Sequence, residues 1–539
     1  MKKTITRVIS TLFVACSVLA IFSSCNAEKQ IKKTAPTSVP DKTGNIYPLK
    51  TNVRLTYWCR LQQNQAALVS NVSDLPLYKE LLNKTGVEIK FLHPTPTQEK
   101  EQFNILISSR DLPDIIEYNW MIYHGGPEKA IKDNQIIPLN DVIEKYAPNL
   151  KRILDGDKEL NRMVKISENQ YYVFPFIRSD ESLLVYHGPF LRKDWLDELG
   201  LQVPTTIDEW YTVLKAFKQK KNVEAPLVFQ YRQIGINNAF IGAYHITHDF
   251  YRDDQNKIQY GPIQPEYKEF LSTFKKWYSE GLIDRDFVLG DAKSQDESML
   301  SGRSGATVAN MGGGLGKYLD NMKLKDPKFA LIAAPYPTLK KGEMPFIGQS
   351  DYKYTPQGSV AISRQCKNID VAARFLDYGY SPEGQMLYNF GIEGVSYKMN
   401  NGYPQYTQEI TKNPDGLTMI QAMAKYIRAY YEGPTVQDTR YLEQYNTYPE
   451  QRDAIEKWLK TDHKKHEIPS FLSSTQEETS ELAQIINDVS TYKDEMFIKF
   501  IFGIEPLENY DKYVDQIKKF GIDKAITIKE NAYKKYENR

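Results

Sequence analysis

The sequence predicts an α/β protein built on a parallel sheet with helices on its faces. Three observations predict it. Short runs rich in β-branched and aromatic residues stand at 53–58, 87–92 and 114–118. Segments with helical spacing separate them at 74–85 and 100–109. Gly86 and the Asp111-Leu112-Pro113 break stop those helices before the next strand begins. Strand, helix, strand, helix, strand in this rhythm means parallel pairing with the helices packed on the sheet.

The elements follow in chain order. VRLTYW (53–58) is the first strand, and Leu77, Leu81 and Leu82 mark the apolar stripe of the first helix. VEIKFL (87–92) and DIIEY (114–118) are the next strands, with Phe103, Ile105 and Leu106 on the helix between them. A second α/β unit starts after YYVFPF (171–176), with LLVYH (183–187) as a strand and 191–200 as a helix ending at Gly200. Thr206 with Glu209 three residues later reads as a capping box opening a helix to about Lys220. PLVFQY (226–231) is a strand, 265–280 a helix closed by Gly281, and 328–337 a buried strand. Residues 371–391 form two helices around Ser381-Pro382, and 450–535 is mostly helical.

This order locates a ligand. Open α/β sheets bind beyond the carboxyl ends of their strands. Trp58 ends the first strand and Trp120 lies just past the third, so parallel pairing brings both to one edge. Strand alternation turns Tyr57 to the face opposite Trp58.

Composition narrows the function. The 539 residues carry 69 Lys+Arg against 68 Asp+Glu, a formal charge of +1. A general nucleic-acid binder would be strongly basic, so that class is excluded. At roughly 150 residues per domain the length suits about three domains or two large lobes. Aromatic content is 12%, with 37 Tyr. Four Cys in this length exclude a disulfide scaffold.

The first segment is an address. Lys2, Lys3 and Arg7 precede the apolar run Val8 to Phe22, and Ser23-Ser24 stand before Cys25. The run is shorter than the roughly 20 residues a bilayer span needs, so residues 1–24 read as an export signal. Small residues directly before Cys25 resemble a bacterial lipoprotein box, which implies lipidation of that sulfur. The usual Leu three places earlier is Phe22 here. Loss of residues 1–24 takes away three basic side chains and no acidic one, and the formal charge becomes −2. Asn26 to Asn45 holds almost no large apolar residue and reads as a flexible leash. Cys59 and Cys366 remain, as a pair or, more simply, as two isolated thiols.

Chemical motifs are few. His245/His248 and His463/His466 have i, i+3 spacing, but there is no HExxH or CxxC. The second pair sits in DHKKHE, read as a solvated charged face. Gly312-Gly313-Gly314-Leu315-Gly316-Lys317 lacks the first Gly and the final Ser/Thr of a P-loop. Its glycines allow a backbone to approach a ligand, or form a flexible loop. No GxSxG is present, and no local motif marks a carboxylate pair. No catalytic residue, metal site or cofactor is expected.

SSRDLPDIIE (108–117) resembles a segment of the extracellular solute-binding proteins of ABC importers. The resemblance continues through 136–150, 191–218, 281–287, 312–319, 376–397, 402–410 and 413–418. The chain is similar to the large lipoprotein subgroup of family 1, tied mostly to carbohydrate import. That implies a type II periplasmic-binding-protein-like fold: two α/β lobes joined by hinge crossings, with the ligand between them. Lobe one is expected at 51–174 plus 337–395, and lobe two at 175–336 plus 396–510. Residues 25–50 are the lipidated Cys and linker, and 511–539 a helical C-terminal tail. Hinge candidates are Phe174-Pro175-Phe176 and Pro335-Tyr336-Pro337. Some relatives carry a calcium loop where this chain has Gln219 to Ala225, whose Lys and Ala cannot ligate a hard cation.

The expected function is capture of a carbohydrate, as an oligosaccharide, for delivery to an ABC permease. The protein is expected to be a monomer at the cell surface, tethered to the bacterial membrane by lipid on Cys25. Aromatic faces cover a sugar's C–H face, and polar side chains satisfy its hydroxyl rim. Trp58 and Trp120 are the expected platforms, with Asn119, Arg192, Asp351 and Glu393 as polar contacts. Tyr186, Tyr244 and Gly313 complete the expected set, and Arg192 has the alternative of bracing its own helix. The competing readings are a surface glycoside hydrolase or lyase, which predicts turnover, and an adhesin, which predicts no small-molecule cleft.

Overall fold

The computed structural model describes residues 46–95, 98–166, 169–231, 238–428 and 432–539. Cys25, the export signal and the linker up to residue 45 lie outside the described residues. The first three predicted strands form and pair in parallel: β1 (Arg54–Trp58) lies between β2 (Glu88–Leu92) and β3 (Ile115–Glu117). Helices α1 (Pro76–Thr85) and α2 (Glu99–Ser109) connect them. Gly86 ends α1 in the left-handed region at φ 70°, with its N–H on the Leu82 carbonyl. A Cβ there would fall 2.5 Å from the Leu49 carbonyl oxygen, so both the turn and the packing require glycine.

Two sheets organise the rest. The first adds β4 (Phe174–Arg178) and β9 (Tyr354–Ile362), with β10 (Thr435–Gln437) at its edge. Its order is β10-β4-β9-β3-β1-β2, and only β9 runs against the others. The second sheet holds β5 (His187–Arg192), β6 (Leu227–Val228), β7 (Ala306–Asn310) and β8 (Leu331–Ala333), in the order β8-β5-β7-β6. There β5 is the reversed strand.

Several expectations shift. The strand expected at 183–187 begins only at His187, because Glu181–Leu183 forms a turn capped by the Asp180 carboxylate. PLVFQY yields just two strand residues. Phe174 to Phe176 lie inside β4, so the chain leaves the first sheet only after Arg178. It returns between β8 and β9, a stretch that contains Pro335 to Pro337. β10 pairs with β4, so residues 435–437 join the first sheet and not the second lobe expected for them. The capping box at Thr206 forms in altered form. Thr206 Oγ1 accepts from Glu209 N at 3.2 Å, while the Glu209 carboxylate reaches Thr205 N at 2.8 Å.

The helices of the second half cover the second sheet. α3 (Lys193–Leu199), α4 (Ile207–Lys220) and α5 (Pro265–Ser279) bury Trp195, Trp210 and Trp277 in its core. α6 (Pro449–Trp458) crosses its other side, where Trp458 Nε1 donates to the Ala334 carbonyl at 3.0 Å. Of the last helices, α7 (Gln476–Phe502) packs on α5, α8 (Tyr510–Lys519) stacks Tyr513 on Tyr267 of α5, and α9 (Ile522–Glu537) packs on α7; all three contribute to this core. His463 and His466 are buried here, contrary to the solvated face expected. His466 stacks on Phe346 with centroids 3.7 Å apart, and its Nδ1 lies 2.8 Å from the Arg252 carbonyl. Cys59 and Cys366 are free and buried, which settles the open pairing in favour of isolated thiols.

Asp377 is fully buried, and its carboxyl accepts from the backbone of Leu150 (2.8 Å) and from Asn149 Nδ2 (2.8 Å). Burial pushes its pKa up to about 6, against the pull of those hydrogen bonds. Its folded pKa therefore exceeds the unfolded value. Between about pH 4 and 6 the unfolded chain binds fewer protons, so the group's contribution to stability falls as pH rises through that window. Urea unfolding of the wild type and Asp377→Asn across it is expected to show a difference that changes by up to about 3 kcal/mol. A pH-independent difference would refute this.

Candidate ligand-binding site

The carboxyl edge of the first sheet presents Arg60 after β1, Asn119 after β3, Arg178 at the end of β4 and Asp438 after β10. The matching edge of the second sheet presents Gln230 after β6, Asn310 at the end of β7 and, because β5 is reversed, Tyr186 just before it. The two edges converge at Tyr186. Its N–H and that of His187 donate to Gln349 Oε1 at 2.8 and 3.2 Å, and its carbonyl accepts from Met311 N at 2.8 Å. Gln349 Nε2 donates to the Leu184 carbonyl, and so does Asp351 N. One buried glutamine thus stitches the outgoing crossing to the returning one.

This stitching sets the side chains. Arg178 forms an ion pair with Asp351 at 3.0 Å. Burial holds the Asp351 carboxyl above the usual carboxylate range, with Arg178 opposing it. Burial likewise raises the Tyr186 hydroxyl, reinforced by Asp351, so the three groups share one environment. Tyr186 is 38% exposed, which is unusual for a ring in this chain. Beside it Met311–Gly316 winds as a wide helical turn and not as a flexible loop. A Cβ on Gly313 would meet nothing within 4 Å, whereas Gly312 lies against Tyr445. The turn therefore offers open backbone next to two tyrosine rings.

Two cavities open among these residues, the first beside Asp351 and the second beside Asn119. One, of about 280 Å³, is lined by Asp351, Tyr352, Arg252, Glu467 and Tyr533. Burial, then the neighbouring Asp351, pushes the Glu467 carboxyl well above its usual range. The other, of about 300 Å³, lies between Asn119 and Met121 past β3, Gln357 of β9, Ser473 ahead of α7 and Lys529 of α9. At the far rim Arg60 pairs with Glu432, which also accepts from Gln62 Nε2 at 2.5 Å. Gly358, at φ 71°, lets the strand bulge past Glu432, since a Cβ there would fall 1.9 Å from the Glu432 Cβ.

Of the expected residues, Tyr186, Asp351 and Gly313 are brought together, and Asn119 lines the second cavity. Asn119 Oδ1 also caps the following turn, accepting from Met121 N at 3.1 Å. The tryptophans are corrected. Trp120 is 0% and Trp58 5% exposed, because Phe103 of α2 packs across the sheet edge against both rings, at 5.3 and 6.1 Å. Tyr118 and Tyr123 cover more of each indole. Neither offers a face to a ligand. Arg192 takes its alternative role. β5 is antiparallel, so its carboxyl end lies on the edge away from the site. There Arg192 forks onto Asp194 at 2.8 and 2.5 Å between the Trp195 and Phe329 rings.

Tyr244 is a core residue, its hydroxyl donating to Thr273 Oγ1 at 2.6 Å. Glu393 is exposed in the loop before a hairpin at 397–406 and joins none of these groups. Sequence reasoning missed Arg178 and Tyr445. A charge closing the apolar strand FPFIR was the available signal for Arg178, and nothing local marked Tyr445. Among the described residues no group of three His, Cys, Asp or Glu side chains could hold a metal ion.

Comparison with known proteins agrees with this architecture. A family model for bacterial extracellular solute-binding proteins matches residues 63–386. The chain is 24% identical to the fructooligosaccharide ABC transporter substrate-binding protein FusA of Streptococcus pneumoniae serotype 4, over 96% of each chain. It is 26% identical to the polygalacturonan/rhamnogalacturonan-binding protein YtcQ of Bacillus subtilis, over 85% of this chain and 87% of that one. The solved structure of the alginate-binding protein AlgQ2 without calcium ion superposes with a TM-score of 0.69 at 25% identity, over 89% of this chain and 98% of that one. An HMO-binding solute-binding protein of Bifidobacterium longum infantis gives 0.73 at 18% identity, over 90% and 99%, a likeness of fold alone. The fold is the two-lobed α/β fold of these proteins.

Proposed function

The chain belongs to the bacterial extracellular solute-binding protein family, and on that premise we propose that it captures an oligosaccharide and delivers it to an ABC import permease. The observation that carries the proposal is the convergence of both sheet edges on Tyr186, with its half-open ring, the Arg178–Asp351 pair and the open backbone at Gly313. A tyrosine face suits a sugar's C–H surface, and amides with hydroxyls suit its rim. Similar relatives are named for carbohydrate ligands. They are binding proteins, and the reading assigns no catalytic residue.

Lobe one is built on the six-stranded sheet and lobe two on the four-stranded one. The expected division is adjusted: β4, residues 435–437 and the 419–428 segment that packs on α1 go with lobe one, while Phe346, Ile347 and the last helices go with lobe two. The protein acts as a monomer outside the cytoplasm, held to the membrane by lipid on Cys25. No described helix is long and apolar enough to cross a membrane.

Tyr186→Ala is expected to weaken oligosaccharide binding roughly tenfold to a hundredfold. Its melting temperature should stay unchanged, because the ring is half open. Calorimetric titration reads the affinity, and chromatography of the recovered sugar reads its integrity. Unchanged affinity removes Tyr186 from the site, and shortened sugar would mean an enzyme.

A further inference from the structure

We infer that the cavity between Asn119 and Lys529 receives an acidic group, a carboxylate or a sulfate, of the captured oligosaccharide; this rests on the carbohydrate reading above. Lys529 of α9 is the one cation on the cavity wall among the described residues. It is half-buried, and its Nζ makes no ion pair or hydrogen bond with a described residue. The Phe250 ring lies 5.7 Å from that nitrogen. Burial holds the ammonium below the usual lysine range, and the opposing pull comes from Asp249, which does not reach it as an ion pair.

Two amides across the cavity are also unused. Asn119 spends its Oδ1 on the cap at Met121 N, and its Nδ2 donates to no described residue. Gln357, in the bulge of β9, has no side-chain hydrogen bond to a described residue. The one carboxylate on the wall, Glu128, lies within electrostatic reach of Arg539, whose guanidinium donates to Ser473 Oγ of the same wall at 2.6 Å. Glu128 therefore has a cation of its own, and Lys529 has no counter-charge in contact.

Such a set of donors selects for charge. A half-buried ammonium gains more from an oxyanion than from a hydroxyl, because a charge-assisted hydrogen bond is stronger than a neutral one. A carboxylate or sulfate also has oxygens enough to accept from Lys529 and from an amide at once. The placement suits a ligand that lies on Tyr186 as well. Asn119 follows β3 and Arg178 ends β4, two strands away in the same sheet, so roughly 10 Å separates them across its edge. An oligosaccharide lying along that edge carries its acidic group to Lys529.

The test is calorimetric titration of the protein with three panels of matched chain length, at low and at physiological salt. They are neutral galacto-oligosaccharides, oligogalacturonates and sulfated galacto-oligosaccharides. One acidic panel is expected to bind roughly tenfold to a hundredfold more tightly than the neutral one, by a margin that shrinks as salt rises. Which acidic panel it is tells carboxylate from sulfate. Lys529→Met keeps the apolar stem and removes the charge, and is expected to close the gap between acidic and neutral chains. Asn119→Asp keeps the oxygen that caps the turn and sets a carboxylate across from Lys529, so it should close the gap by a second route. Melting temperatures confirm that both variants fold. Acidic chains that bind no more tightly than neutral ones, or whose advantage both variants leave intact, overturn the inference while the carbohydrate reading stands. Binding by none of the panels overturns that reading as well.

Discussion

Arg428→Ala is expected to destabilise the protein by about 3–5 kcal/mol, the cost of leaving a buried charge without its partner. Arg428 is buried and forms an ion pair with Glu117 of β3, which is buried as well. Its guanidinium also donates to Tyr78 at 2.7 Å and Tyr57 at 3.3 Å, and Tyr57 donates to Glu117 at 2.5 Å. One side chain therefore ties β1, α1 and β3 to the segment at 428. Its own N–H closes onto the Tyr388 carbonyl at 2.8 Å. Removing it strands the buried Glu117 carboxylate against the Tyr57 hydroxyl.

The double variant Glu117→Gln with Arg428→Met is expected to recover much of the loss, since replacing both members of a buried pair is far milder than breaking it. Urea unfolding of the two variants measures both values. A loss under 1 kcal/mol for Arg428→Ala would mean that water reaches Glu117 and that the network is not a buried one.

Trp120→Ala is the second large effect. The indole is fully buried against Phe103 and Tyr123, and truncation leaves a cavity, at a cost of about 3–5 kcal/mol. Affinity for the ligand, measured where the variant is still folded, should change by less than about threefold, since the ring touches no open space. That pattern separates a core tryptophan from a stacking platform, which would lose affinity while keeping its stability. A variant that melts normally but fails to bind would restore the platform role. Trp120→Phe should lie between the wild type and Trp120→Ala in stability.

The contrast between Trp120 and Tyr186 shows where sequence reasoning reaches its end. Strand and helix order were legible because apolar spacing and helix-ending glycines are local. Gly86, Gly200 and Gly281 all adopt positive φ at the helix ends read from the sequence. Placing Trp58 and Trp120 at one edge was also sound, since β1 and β3 do pair in parallel. What covers that edge was not legible. Phe103 lies on a helix whose tilt across the strand ends is set by tertiary packing, and the same spacing would arise if it faced the sheet's middle. Arg192 failed for a related reason: its strand runs backwards, and direction follows from pairing, not from local pattern. Tyr186 and the segment leading to Asp351 are joined through Gln349, a residue with no motif of its own, and the glycine turn is tied to Tyr186 by the Met311 N–H.

The burial of tryptophan has a consequence for how this protein can be watched. All six indoles of the chain lie in the interior, at Trp58, Trp120, Trp195, Trp210, Trp277 and Trp458. Their emission belongs to an apolar, rigid surrounding and is shielded from a dissolved quencher such as acrylamide. Optical change at those wavelengths is therefore a gauge of the interior opening, and a ligand resting on a tyrosine edge leaves it largely silent. Heat of mixing, or a dye placed on the rim near Gly313, is the channel through which occupancy would become visible.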